Sequence, residues 1–223
     1  EWLGDLRRFL AWCCSQNLVL ADLTGWVPKV RVEKNLPRVP SVEEVRRLLS
    51  WPPEDTPLGL RRRGLWELAY GTGLRLGELV ALDLADIDLG EGWVVVRDAK
   101  NGQSRWAPVG RTAAAAVQAW LVVRPQLWSE RAGEALWVGL TGVRLPHSCA
   151  VEEIKLASRA LGFRVTMHSL RHAYATHLLQ AGAPIRAVQE LLGHAVLQST
   201  QRYTRVTLTD LRTMVARCHP RSK

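Results

Sequence analysis

The stretch HSLRHAYATHLL, residues 168–179, combines basic and apolar positions at the spacing of an α-helix. Side chains at positions i, i+3 and i+4 share one face of a helix, so His168, Arg171 and His172 are predicted to project together. Apolar side chains cover much of the remaining surface, namely Leu170, Ala173, Leu178 and Leu179. The stretch therefore predicts a helix that is basic on one side and packed into a core on the other.

The basic face of this helix is open to three interpretations. A His-xxx-His pair can bind zinc, but the general-base glutamate of the HExxH motif is absent, because Ser169 holds that position. An arginine offers a planar fork for phosphate oxygens, and a histidine beside it can donate or transfer a proton, so the face also suits an anion site. A solvated basic surface with no ligand is the third interpretation. The missing glutamate makes zinc the least favoured of the three.

Two other segments place a basic residue at a predicted turn. In Gly73–Leu79, GLRLGEL, Arg75 follows a glycine turn at the start of a helix. This arginine suits either a second phosphate clamp or a surface ion pair with Glu78, and such surface pairs contribute little stability. Lys100 stands beside Asn101-Gly102, which is a strong signal for a two-residue hairpin turn. Hairpin lysines are commonly solubilising, but one that reaches a phosphate can protonate a leaving oxygen.

A tyrosine follows the next predicted helix end. In Leu191-Leu-Gly-His194, Gly193 is predicted to end a helix and to leave His194 at its C-terminal mouth. Ser199 and Thr200 suit the cap of a further helix that contains Tyr203. A single tyrosine is usually a half-buried packing residue. Near arginines and histidines, however, its hydroxyl can attack a phosphodiester, provided that a base and positive charge help a phenol whose pKa is about 10.

The remaining pattern predicts a mainly α fold with one small antiparallel β-sheet, an α+β class. Ser41 and Glu44 form a capping box before an amphipathic helix. We expect helices at about 64–70, closed by Gly71-Thr72-Gly73, at 75–82, and at 112–123 with Thr112 as its cap. The two predicted strands are Trp93–Val96 and Arg105–Val109. The C-terminal third is predicted to be helical.

Composition limits the class of protein. The chain has 223 residues, a net charge of +9 and 4 cysteines. A pI near 10.0 is typical of proteins that meet a polyanion, most often nucleic acid, although basic proteins without such a partner exist. The cysteines form neither a CxxC pair nor a disulfide framework, which fits a reducing cytoplasm. No apolar run reaches the roughly 18 residues of a membrane span, so we expect no membrane partner.

Together these segments resemble the tyrosine recombinase, or phage integrase, family, and especially its bacterial Xer-like branch. The resemblance covers about residues 41–217, and the motifs follow in the family's order. They are Thr72-Gly-Leu-Arg75-Leu-Gly-Glu-Leu79, Lys100 in its hairpin, His168-Ser-Leu-Arg171-His172, Leu192-Gly-His194 and Ser199-Thr-Gln-Arg-Tyr203. Each motif is short, but six catalytic-type positions in the right order are specific.

The resemblance implies a role for each of these six residues. Arg75 and Arg171 correspond to the pair that clamps the non-bridging oxygens of the scissile phosphate, and His194 to a further donor to that phosphate. Tyr203 corresponds to the nucleophile that forms a 3′-phosphotyrosyl link. Lys100 corresponds to the general acid for the leaving 5′-oxygen, and His168 to the proton acceptor for the tyrosine. Neither metal, other cofactor nor ATP is expected, because arginines supply the charge stabilisation.

The resemblance also implies an organisation and partners. Residues 1–24 correspond to the last helix of a helical core-binding domain that otherwise lies outside this chain, 25–40 to a basic linker, and 41–223 to the catalytic domain. Double-stranded DNA is the expected partner, in the bacterial cytoplasm at the nucleoid. The tail Thr209–Cys218 is expected to dock on a neighbouring protomer of a homo- or hetero-tetramer, or else to pack on its own core. A DNA-binding module without recombination and a type IB topoisomerase are the alternative functions.

Overall fold

The computed structural model describes residues 2–19, 21–28, 38–97, 104–193 and 205–221, with only the backbone of 205–207. Its helices are α1 Trp2–Ser15, α2 Val42–Leu49, α3 Pro57–Thr72, α4 Leu76–Ala81, α5 Arg111–Val123, α6 His147–Leu161, α7 Met167–Gln180, α8 Ile185–Leu192 and α9 Arg205–Cys218. The strands are β1 Ile87–Asp88, β2 Trp93–Arg97 and β3 Ser104–Pro108. The predicted class, mainly α with a small antiparallel sheet, is confirmed.

The chain divides into two compact units, Glu1–Pro37 and Arg38–Lys223. The first contains α1 and a 3-10 turn at Leu23–Trp26. Asp22 caps the start of this turn, because the Asp22 carboxylate accepts a hydrogen bond from the Thr24 N–H at 2.8 Å. Several large apolar side chains of this unit are exposed, namely Trp2, Phe9, Trp12, Leu18 and Trp26. Most of the predicted linker, residues 29–37, lies outside the described part.

Helix α3 crosses the core of the second unit. Its start is set by Thr56, which accepts from the Gly59 N–H at 3.1 Å, with Pro57 in the first turn. The sequence pattern wrongly placed this start near Gly64, because the arginines before Gly64 resemble a solvated loop. In fact Arg61 is 1% exposed, and it donates to the Val138 carbonyl at 2.8 Å and forms an ion pair with Glu153.

The sheet is a three-stranded antiparallel meander with the order β1-β2-β3. Val94 pairs with Ala107 and Val96 with Arg105, and because cross-strand partners share a face, these four side chains point the same way. Val94, Val96 and Ala107 are buried in the core. The sequence pattern missed β1, because a two-residue strand has no alternation to detect. Residues 98–103, with the predicted turn, are outside the described part.

Local capping rules were right at α2 and wrong at α5. The Ser41 hydroxyl accepts from the Glu44 N–H at 3.2 Å, and the Glu44 carboxylate accepts from the Ser41 N–H at 2.9 Å. At α5 the N-cap is Gly110, and Thr112 lies inside the helix. The Thr112 hydroxyl instead donates to the Arg221 carbonyl at 2.7 Å, a contact across 109 residues that no local pattern reveals.

The C-terminal helix α9 packs on the core of its own chain. Its buried residues are Leu211, Met214, Val215 and Cys218. Beyond it, His219 is 2% exposed, and its Nε2 lies 3.2 Å from the Tyr70 carbonyl oxygen. Burial lowers the pKa of His219 to about 4. Arg221 forms an ion pair with Glu67, a carboxylate 1% exposed on α3. The tail therefore packs on the core of its own chain, which was the second of the two arrangements expected from the sequence.

Within the described part of the chain, no helix combines the length and the apolar character that crossing a bilayer requires.

The pair of Arg221 and Glu67 predicts a stability effect. Burial already raises the pKa of Glu67, and Arg221 opposes that rise. Arg221→Met leaves the carboxylate without this partner and should lower the free energy of unfolding by about 3 kcal/mol, as for other broken buried pairs. Urea unfolding at pH 7 measures the change. Arg217→Met, at an exposed position of α9, is the matched control, with an expected change below about 0.5 kcal/mol. Equal losses in both variants would contradict the prediction.

Candidate anion-binding site

Arg171 joins the ends of two helices to a third. It lies on α7 and is 8% exposed. Its Nη1 donates to the Gly73 carbonyl at 2.6 Å, and its Nη2 donates to the Leu192 carbonyl at 2.7 Å. Gly73 caps the C-terminal end of α3, and Leu192 is the last residue of α8. Helix C-termini carry partial negative charge and carbonyls without intrahelical partners, so this buried cation lies where both ends favour it.

Local sequence explains how these elements converge. Helix α7 begins at Thr166, whose hydroxyl accepts from the Ser169 N–H at 3.0 Å, and Arg171 follows in the next turn. Helices α3 and α8 end on Gly73 and Gly193, both in the left-handed region with φ of 66° and 64°. Glycine adopts this region without strain, and the chain can therefore turn as soon as each helix ends.

Arg75 is the more exposed neighbour of Arg171 at this site. Arg75 is the N-cap residue of α4, as predicted, and its side chain is 52% exposed. Its backbone N–H donates to Glu78 Oε2 at 2.8 Å, and its Nη1 donates to Glu78 Oε1 at 3.0 Å. The predicted i, i+3 ion pair is thus present. Burial and, after it, the charge of Arg75 lower the pKa of Arg171 to about 10, so the two arginines are electrostatic neighbours.

Glu78 has a second and more buried partner in Arg105 of β3. Arg105 donates through Nη1 to Oε1 at 2.9 Å and through Nη2 to Oε2 at 2.7 Å, while its side chain is only 12% exposed. Burial by itself would raise the pKa of Glu78, but the hydrogen bonds from Arg105 and Arg75 outweigh it and lower the pKa to about 2. The carboxylate is therefore ionised and shared by two arginines.

His168 and His172 form a pair on the exposed side of α7. Their Nε2 atoms lie 2.7 Å apart, and the rings meet edge to face with centroids 4.3 Å apart. A hydrogen bond between two ring nitrogens needs one donor and one acceptor, so at least one imidazole is neutral. Burial, followed by the charges of His168 and Arg171, lowers the pKa of His172. The pair therefore offers at least one neutral imidazole on the exposed side of α7.

Three of the six sequence-predicted site residues are described: Arg75 and Arg171 are electrostatic neighbours, and His168 lies against His172 on α7. Lys100, His194 and Tyr203 lie outside the described residues. The three predicted neighbours on α7 do not all point alike: the two histidines face each other, while Arg171 turns towards Gly73 and Leu192. In the described ranges no group of three histidine, cysteine or acidic side chains is placed to hold a metal ion.

Arg105 is the site residue that the sequence interpretation missed. A detectable signal existed: strand alternation puts Arg105 on the same face as Ala107, so a charged residue occupies a core-facing register. A charge at such a position needs a buried partner. Three guanidinium groups around one carboxylate leave two positive charges at the site, an arrangement suited to an anion with several oxygens, such as a phosphate diester.

The chain is similar to known proteins along most of its length. The model of the phage integrase family matches residues 39–209. The chain is 40% identical over 226 residues to the tyrosine recombinase XerC of Myxococcus xanthus, covering 99% of this chain and 75% of that protein. It resembles the structure of an integrase from mycobacterium phage Brujita, with 26% identity, a TM-score of 0.68, and coverage of 98% and 71% of the two chains.

A further solved structure shows a similar fold. It is that of the XerH site-specific recombinase bound to its difH substrate, in a pre-cleavage complex. The identity is 24%, the TM-score is 0.63, and the match covers 79% of this chain and 54% of that one.

The close approach at Gly73 predicts a sensitive position. An added Cβ would lie 2.4 Å from Cδ1 of Tyr174, besides the cost of a positive φ. Gly162→Ala is a matched control, because Gly162 also caps a helix at a positive φ but has no atom within 4 Å of the added Cβ. We expect a loss of about 1 kcal/mol for the control and about 2 kcal/mol more for Gly73→Ala. Urea unfolding compares them, and similar losses would contradict the prediction.

The shared carboxylate predicts an acid-sensitive contribution to stability. The pKa of Glu78 is about 2 in the fold, against an ordinary value of 4.5, so its contribution is complete above about pH 5 and is lost as the pH falls from 4.5 towards 2. The difference in unfolding free energy between wild type and Glu78→Gln should therefore shrink between pH 6 and pH 3. Glu130→Gln, at an exposed position, is the control. A difference independent of pH would contradict the pairing.

Proposed function

Since this chain belongs to the phage integrase family of tyrosine recombinases, we propose that it cleaves and rejoins double-stranded DNA at specific sites through a covalent link to Tyr203. The observation that carries the proposal is the convergence of Arg75 and Arg171 beside the histidine pair of α7. The net charge of +9 supports a polyanionic partner. The relatives are named recombinases and integrases, which favours site-specific recombination over topoisomerase activity and over binding alone.

The two arginines would hold the scissile phosphate in different ways. Arg171 is held by two carbonyls at 2.6 and 2.7 Å, so it offers its remaining N–H groups in a fixed direction. Arg75 is half exposed and has one side-chain hydrogen bond to Glu78, so it can turn towards a non-bridging oxygen when DNA arrives. Charge-assisted, bidentate hydrogen bonds of this kind stabilise the negative charge that develops on the phosphorus oxygens.

The proposed reaction exchanges one phosphodiester for another. The Tyr203 oxygen attacks phosphorus, a bond forms between them, and the bond from phosphorus to the 5′-oxygen breaks. The phenol proton passes to His168, and Lys100 supplies a proton to the leaving 5′-oxygen. His194 donates a hydrogen bond to the phosphate. A 5′-hydroxyl of another strand then attacks the 3′-phosphotyrosyl link and releases the tyrosine by the reverse proton transfers.

The energy of the broken ester is kept in the phosphotyrosyl bond, so resealing requires no ATP. The arginines supply the charge stabilisation that a metal provides in other phosphoryl-transfer enzymes. A hydrogen bond between the two ring nitrogens requires that one of the two imidazoles is neutral, and a neutral imidazole is the kind of group that the role proposed for His168 needs.

The same proposal extends to assembly, organisation and location. Residues 1–24 would belong to a core-binding domain and 25–40 to a linker along the DNA, with 41–223 as the catalytic domain. Recombination of two duplexes uses a homo- or hetero-tetramer, in which the segment Thr209–Cys218 would dock on a neighbour. Because the apolar side of α9 is buried in its own chain, docking requires release from that core. The reaction would take place at the bacterial nucleoid.

The nucleophile is tested with a nicked duplex whose sequence has first been selected from a randomised pool by repeated rounds of binding to this protein. The short fragment that cleavage releases from beside the nick diffuses away, so the covalent adduct cannot be resealed. Wild-type protein should give a band that resists denaturing electrophoresis, and mass spectrometry should place the DNA on the peptide that contains Tyr203. Tyr203→Phe should reduce the adduct at least about 10⁴-fold, because the attacking oxygen is removed.

Tyr174→Phe is the matched control for this experiment. The Tyr174 hydroxyl is buried and has no hydrogen-bond partner among the described residues, so its removal should leave adduct formation unchanged. An adduct formed by Tyr203→Phe, or none formed by the wild type, would refute the proposal.

A further inference from the structure

We infer that Arg105 is a positioning residue of the recombination site, which neutralises Glu78 and so keeps the charge of Arg75 available to the scissile phosphate. This inference rests on the proposed function. Arg105 touches neither the phosphate nor the nucleophile in this scheme, and it acts through the carboxylate that both arginines share.

The first step is the geometry of Glu78. Its carboxylate accepts four hydrogen bonds, two from the Arg105 guanidinium and two from the backbone and side chain of Arg75. The Arg105 contacts, at 2.9 and 2.7 Å, use both terminal nitrogens, whereas Arg75 uses one side-chain nitrogen at 3.0 Å. The carboxylate is thus bound more completely by Arg105, and Arg75 is the partner that can leave.

The second step is the cost of burying Arg105. Its Nε is buried and lacks a hydrogen-bond partner within the described ranges, and Val96 lies opposite it in the sheet. A Cβ added to Gly193 would lie 3.0 Å from Cδ and Nε of Arg105, so the backbone of the α8 cap lies against this side chain. Buried ion pairs are often no more stable than apolar side chains of the same volume. Stability alone therefore does not account for an arginine here.

The third step is the charge at the site. Arg75, Arg105 and Arg171 surround the single carboxylate, which leaves two positive charges. Without Arg105, Glu78 would neutralise Arg75 directly, and one positive charge would remain for the phosphate. The opposing carboxylate would also hold the Arg75 guanidinium more firmly, because Glu78 would have no competing partner. Arg105 therefore keeps the positive charge of Arg75 from being neutralised by Glu78, and it leaves the Arg75 guanidinium able to move.

The test compares Arg105→Gln, Arg105→Lys and the double variant Arg105→Gln with Glu78→Gln. The readouts are the single-turnover rate constant of adduct formation at saturating protein and, separately, the Kd for the same DNA. Arg105→Gln should lower the rate constant about 10- to 100-fold, as loss of an orienting partner does at other sites, with a smaller effect on Kd. Arg105→Lys retains the charge and should recover part of the rate.

The double variant distinguishes an electrostatic role from a structural one. Replacing both members of the pair restores two positive charges, so its rate constant should exceed that of Arg105→Gln at least about fivefold, although two residues have been changed. Arg97→Gln is the matched control, because it removes a positive charge from the neighbouring strand, where Arg97 pairs with Asp86 at 2.6 Å and not with Glu78. It should leave the rate constant unchanged.

Each outcome decides between these possibilities. A wild-type rate for Arg105→Gln overturns the inference alone, because the wild type still forms the adduct. A double variant as slow as Arg105→Gln also overturns it and leaves Arg105 with a structural role. A wild-type chain that forms no adduct overturns the proposed function, and this inference with it.

Discussion

Two hydrogen bonds from Arg171, to the carbonyls of Gly73 and Leu192, join three helices of the second unit at the site. The guanidinium lies among helix ends whose carbonyls have no other helical partner, so the cation and the helix termini stabilise one another. The glycines that end α3 and α8 make this meeting possible, because each chain turns away without a side chain in the path. One buried charge therefore contributes to the relative positions of α3, α7 and α8, together with their apolar packing and the hydrogen bond between Tyr70 and His177.

Around this charge the site retains further ionised groups that a stability-driven core would avoid. Glu78 is held ionised by Arg105 and Arg75, and Arg105 occupies a core-facing register of a sheet. Burying such groups costs desolvation energy. The cost is understandable if the site must present positive charge in a fixed geometry before the phosphate arrives, since preorganised charges need no rearrangement during the reaction. Arg171 and Arg105 are nearly buried, whereas Arg75 is half exposed, so Arg75 is the arginine most accessible to solvent.

The C-terminal segment also contacts helix α3 and the neighbouring helix α5. His219 and Arg221 are held against α3 by the Tyr70 carbonyl and by Glu67, and Thr112 of α5 donates to the Arg221 carbonyl. Helix α9 is thus held by its apolar side, which is buried in the core, and by the polar contacts of His219 and Arg221 beyond its end. The segment between α8 and α9, which contains Tyr203, connects two elements that are both fixed on this core.

The sequence alone determined the class of fold, the capping box of α2, the helix ends at Gly73 and Gly193, and the identity of Arg75, His168 and Arg171 as candidate site residues. These features follow from rules that act over a few residues, namely helical spacing, end capping and glycine conformation. Tertiary structure decided the early start of α3, the partner of Thr112 and the role of Arg105. The contacts that decide these three features span 77, 109 and 27 residues. A buried charge or hydroxyl finds such a partner only when segments that are distant in the sequence come together in the fold.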